Sequence, residues 1–119
     1  MRKLTIARKK QFLGKWMDYY LVIGIPQDEL AEYTGVKKHA LGFPEGLLKG
    51  SGQIFAIAND KNITMKVSTE SFLLYGCYFD STGIRFGEEL RIEAGESDLA
   101  LEMRTKMGLS ANKITLSRV

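Results

Sequence analysis

The sequence predicts an all-β, β-sandwich-like fold with a short helix and a glycine-rich loop inserted after the second strand. Three observations predict it. From Gln53 onward the chain runs through short segments of alternating apolar and polar residues, which gives seven or eight strands with the two at the start. Turn-forming clusters punctuate those segments: Asn59-Asp60-Lys61-Asn62, Asp80-Ser81-Thr82-Gly83 and Ala94-Gly95-Glu96-Ser97-Asp98. The chain has 119 residues, of which 45% are hydrophobic, enough for one domain over 1–119 whose core needs no metal or disulfide.

Taken in order, Leu4-Thr5-Ile6 begins the first strand. Tyr19 to Ile25 is apolar throughout and rich in β-branched and aromatic residues, which suits a strand buried on both faces or at a subunit contact. The two are expected to pair as an early hairpin, with Arg8 to Lys15 at its tip. "PQDELAEY" follows, with proline first, acids in the first turn and Gly35 beyond it, a short helix that turns Leu30 and Tyr33 toward the body. "GVKKHALGFPEGLLKGSG" is the irregular loop. "QIFAIA" is a strand, and "ITMKVS" is a half-buried one with Ile63, Met65 and Val67 inward. "FLLYGCYF" is a strand bent at Gly76. "IRF" leads to Gly87, "ELRIEA" alternates again, "DLALEMR" sets Leu99, Leu101 and Met103 on one face, and "KITLSRV" closes with Ile114 and Leu116 inward.

Two segments align at a spacing of 27 residues: "NITMKVSTESFLLY" and "ELRIEAGESDLALE", with Ile63 on Leu90, Met65 on Ile92 and Phe72 on Leu99. Each reads as strand, tight turn, strand, the shape of a hairpin. "EELRIEAGESDLALEMRTKMGLSANKITL" and "LTIARKKQFLGKWMDYYLVIG" resemble small all-β modules of uncharacterised bacterial proteins. The resemblance covers about two thirds of the chain and omits Gln27 to Gly52. It implies a β-sandwich and carries over neither a function nor a functional residue.

Charge is distributed unevenly. Net charge is +3, but Met1 to Lys15 holds six bases and no acid, leaving eleven bases against fourteen acids, or −3, in the rest. Glu88, Glu89, Glu93, Glu96, Asp98 and Glu102 form an acidic stretch. Opposite charges on one chain favour contacts within the fold or between copies. No apolar run is long enough to span a bilayer, and lysine and aspartate interrupt the stretch after the basic start, so a cytoplasmic chain is expected.

Catalytic chemistry finds little footing. His39 is the single histidine and sits in a polar loop, Cys77 is a lone cysteine expected in the core, and no nucleophile elbow or phosphate loop occurs. Glu93 and Glu102 are candidates to face each other across a hairpin. The sequence therefore reads as a non-enzymatic structural or protein-interaction module, without a cofactor or metal, partnered by another protein or by its own copies. Candidate interaction residues are Arg8, Lys9, Lys10, Phe12, Lys15 and Trp16, a basic patch with aromatics interleaved, and Met107 and Leu109 beside Gly108. The alternative is a nucleic-acid-binding β domain in which Phe12 and Trp16 stack on bases beside those cations.

Overall fold

The structure, a computed structural model, describes residues 1–8, 19–30, 54–58, 61–80, 83–106 and 113–119. Among the described residues, nine strands run in chain order: β1 Arg2–Arg8, β2 Tyr19–Ile23, β3 Ile54–Ile57, β4 Asn62–Val67, β5 Phe72–Asp80, β6 Gly83–Phe86, β7 Leu90–Ile92, β8 Leu99–Lys106 and β9 Lys113–Arg118. They form two sheets. Sheet A has the order β4-β1-β8-β9, and sheet B the order β3-β2-β5-β6 with β7 also on β5. The all-β, two-sheet architecture agrees with the alternation in the sequence, and a helical turn at 27–30 follows β2 where the helix was expected. Tyr33, His39, the glycine-rich loop and the turn residues Asn59, Asp60, Ser81 and Thr82 lie outside the described residues.

The expected β1–β2 hairpin does not form. β1 pairs antiparallel with β4 and parallel with β8, while β2 pairs antiparallel with β3 and β5. The reason is burial. Val22 and Leu21 are both fully buried, so β2 needs cover on both faces, and it obtains this in sheet B, where Leu21 joins the core between the sheets and Val22 a second core on the other face. β1 is buried on one face only, as its alternation of buried and more exposed positions shows.

The two similar segments are not hairpins either. β4 belongs to sheet A and β5 to sheet B, whereas β7 belongs to sheet B and β8 to sheet A. Each segment is an arch that carries the chain from one sheet to the other, in opposite directions. The two arches touch: the Gly95 amide donates to the Thr69 carbonyl at 2.8 Å. Alternation has the same period in an arch as in a hairpin, so the pattern alone does not separate them.

The core between the sheets is built from Leu4 and Ile6 of β1, Leu101 and Met103 of β8 and Ile114 of β9, against Leu21, Leu74 and Ile92 of sheet B. Each such residue, fully buried, stabilises the fold by ~1.5–3 kcal/mol. β9 comes closest to sheet B where side chains are missing. A Cβ on Gly76 would lie 2.4 Å from Ile114 Cγ2, and one on Gly87 would lie 2.3 Å from the Ile114 carbonyl oxygen. The Gly87 amide donates to the Gly76 carbonyl at 2.7 Å and the Glu88 amide to the Ile114 carbonyl at 3.3 Å. Here the strand on the flank of β5 breaks into β6 and β7 and bonds across to the other sheet.

Sheet B carries a second core on its outer face. Tyr20, Val22, Ile54, Tyr75 and Cys77 pack there with Leu30 of the helical turn, which is 2% exposed. Three bonds fix that turn: Leu30 amide to Pro26 carbonyl at 3.1 Å, Gln27 Nε2 to Gly87 carbonyl at 2.8 Å, and Tyr75 hydroxyl to Ile25 carbonyl at 2.7 Å. The rings of Tyr75 and Phe86 meet edge-to-face at 5.7 Å, and those of Tyr20 and Phe79 at 6.0 Å.

Candidate interaction surface

Of the candidate interaction residues, the structure describes Arg8 alone. Lys9, Lys10, Phe12, Lys15, Trp16, Met107 and Leu109 lie outside the described residues. Arg8 is a correction to the basic patch, because its side chain is buried, with 3% exposure. Nη1 donates to the Ile57 carbonyl at 2.7 Å, and the guanidinium carbon lies 3.5 Å from the centre of the Tyr19 ring. Tyr19 in turn is hydrogen-bonded through its hydroxyl to the Thr105 hydroxyl. Burial pushes the Tyr19 pKa up, and the adjacent Arg8 charge offsets part of that rise.

Arg2, at the other end of β1, is equally committed. Its guanidinium donates Nε–H to the Ser68 carbonyl at 3.0 Å, and Nη2 to the carbonyls of Glu70 at 3.3 Å and Glu93 at 2.7 Å. These acceptors belong to the two arches, so one side chain ties both together. The Phe72 ring lies 5.7 Å from the guanidinium carbon. Residues 2, 4, 6 and 8 share one face of a strand. The Leu4/Ile6 core face therefore has an arginine at each end, each using planar donors on carbonyls and a ring. Sequence parity places Arg2 and Arg8 on that face, and this signal was available without the structure.

The expected pairing of Glu93 and Glu102 fails with the hairpin. Glu93 follows β7 in the turn that leaves sheet B, and Glu102 lies on β8 opposite Ser117. The Glu102 carboxylate accepts from Arg104 Nε at 2.7 Å, an ion pair that pushes the Arg104 pKa up. Cys77 is fully buried and its thiol pKa is raised by desolvation, the state of an unreactive core thiol. Among the described residues, no group of three His, Cys, Asp or Glu is arranged to hold a metal, and no helix is long and apolar enough to cross a membrane.

No family model, curated protein or solved structure matches the chain.

The described polar surface with the most regular geometry is the outer face of sheet A. Pairing defines it row by row: Lys66 beside Lys3, Thr64 beside Thr5, Ala7 between Asn62 and Glu102, and Lys106 beside Lys113. The Thr5 and Thr64 hydroxyls are 3.2 Å apart. Lys3, Lys66, Arg104, Lys106 and Lys113 are exposed, and the carboxylates among the described residues of this face are Glu102 and, at its end beside Lys3, Asp98. Five cations less two anions leave +3. Other carboxylates gather elsewhere: Glu70, Glu93 and Glu96 are exposed around the two arches. The Asp98 carboxylate accepts from the Lys3 amide at 2.9 Å, which holds the second arch against β1.

Proposed function

We propose that this chain is a non-catalytic structural or protein-interaction module whose partner is another protein or a second copy. One observation carries the reading: the segregation of surface charge. Glu70, Glu93, Glu96 and Asp98 are exposed at the arch end beside Lys3 and Lys66, while Lys61, Lys106 and Lys113 are exposed at the opposite end of the strands. A body with a cationic end and a carboxylate-rich end is complementary to its own copies, head to tail, and to any partner with a charged patch. The buried polar groups support a structural role. Arg2, Arg8 and Tyr75 each bond to main-chain carbonyls, and Tyr19 bonds to Thr105. A group bound in this way is not free to exchange protons with a substrate.

The resemblance to small all-β modules of bacterial proteins, and action in the cytoplasm with Cys77 reduced, belong to the same proposal. Light scattering across protein concentration at low and high salt tests it. Mass is expected to rise above that of one chain at low salt and to fall back when the charges are screened. A mass equal to one chain throughout, together with no partner retained by the purified domain, refutes the reading.

A further inference from the structure

We propose that the outer face of sheet A binds the phosphate backbone of a nucleic acid. Lys3 stands directly opposite Lys66, and Lys106 directly opposite Lys113. Like charges directly opposite on a sheet repel and weaken the pairing. Lysine on an edge strand is explained by protection against stray pairing. Among the described residues β4 and β9 are the edges of sheet A, so that account covers Lys66 and Lys113. It leaves out Lys3 on β1, an interior strand, whereas Arg104 and Lys106 stand beyond the last described β1–β8 pair, Arg8 with Met103. An anion seated between paired ammonium groups turns the repulsion into attraction.

The chemistry of the face selects the kind of anion. Protein interfaces have an apolar, aromatic-rich centre. Among the described residues, the outward positions of β1, β4 and β8 hold only alanine as an apolar residue, with Ala7 and Ala100 in the middle beside threonine hydroxyls. Small residues let a backbone approach closely, and Lys, Arg and Thr side chains are the usual phosphate contacts. From Lys3 to Lys106 the face runs about eight residues along β8, or roughly 26 Å, long enough for several successive phosphates. The described part of this face offers no ring to stack on, so recognition is of the backbone and tolerant of sequence. These residues are other than those of the basic and aromatic segment Lys9 to Trp16, and the inference does not rest on the protein-interaction reading.

Fluorescence anisotropy with a labelled oligothymidylate and a mixed-sequence duplex tests it. Neutralising about four phosphates gives an affinity loss of about 50- to 150-fold between about 50 and 200 mM salt. The K106E/K113E variant, and separately K3E/K66E, should each weaken binding about tenfold or more and flatten the salt dependence, with the folded circular dichroism spectrum retained. The K9E/K10E/K15E variant should weaken it less than either. No binding at about 50 mM salt overturns the proposal. So does binding abolished by K9E/K10E/K15E but kept by both sheet variants. Equal or tighter binding of polyglutamate or of phosphatidylserine vesicles overturns it too, in favour of an acidic protein or a membrane surface.

Discussion

Replacing Gly76 with alanine probes the place where the two sheets meet. Gly76 lies on β5 with the inner face of sheet B, opposite Leu21. The added methyl would lie 2.4 Å from Ile114 Cγ2 and 3.2 Å from both Ile114 Cβ and Met103 Cε. Two effects of opposite sign compete. Alanine restricts the unfolded chain and by that route stabilises by ~0.4–1 kcal/mol wherever the native backbone accepts it. Crowding a packed core costs ~1–3 kcal/mol. Met103 Cε is the end of a flexible side chain and yields readily, but Ile114 Cγ2 is branched directly from Cβ and moves only with β9. The β9 backbone is held in turn by the Glu88 amide on the Ile114 carbonyl. The crowding term therefore dominates, and a net loss of ~1–2 kcal/mol is expected. Ile114→Ala removes the opposing methyl at a cost of ~2–5 kcal/mol. In that background the new methyl fills part of the space, and Gly76→Ala should be neutral or stabilising by ~0.5 kcal/mol. Urea unfolding followed by circular dichroism on the four proteins measures the coupling, expected near 2 kcal/mol in magnitude. A Gly76→Ala effect that is the same in both backgrounds refutes the contact and, with it, the closure of the two sheets at this point.

Two further outcomes follow from the buried polar groups. Arg2→Met should destabilise by ~2–4 kcal/mol, because it strips charged donors from three carbonyls in two arches. Arg2→Lys should recover less than half of that loss, since an ammonium does not fork across all three. An Arg2→Met urea midpoint equal to that of the parent would mean the arches hold without it. Alkaline pH should also weaken the fold. Burial raises the Tyr75 pKa above its ordinary 10.0 and the Cys77 pKa above 9.0, with the Cys77 thiol and nearby carboxylates adding to the Tyr75 rise. Both groups stay protonated longer in the folded chain. Their contribution is complete below the unfolded values and declines as pH rises past about 9 to 10, where the unfolded state loses protons first. Tyr75→Phe should cost ~0.5–1.5 kcal/mol at neutral pH for the bond to the Ile25 carbonyl. The same variant should show a shallower decline in urea midpoint between about pH 8 and pH 10.5, and an unchanged slope would place the titration elsewhere.

The all-β class, the individual strands and their buried faces were legible in the sequence. Leu4 and Ile6, Leu101 and Met103, and Ile114 all face inward as their alternation requires, and Tyr19 to Val22 is buried on both faces as its unbroken apolar run implies. Side-chain period is a local property of an extended backbone, so the sequence determines it without reference to neighbours. The same parity held the inward arginines at 2 and 8, although charge alone suggested that Arg8 belonged to a surface.

Strand partners were decided only by the tertiary structure. A strand's hydrogen-bonding edges are the same main-chain groups whatever its side chains, so alternation names a face but not a neighbour. That is why "ITMKVSTESFLL" and "RIEAGESDLALE" read as hairpins and fold as arches between sheets, and why β1 lies beside β8, nearly a hundred residues away in the chain. The cationic face depends on the same decision. Lys3, Lys66, Lys106 and Lys113 are scattered along the sequence, and only the pairing of β1 with β4 and of β8 with β9 puts them opposite one another.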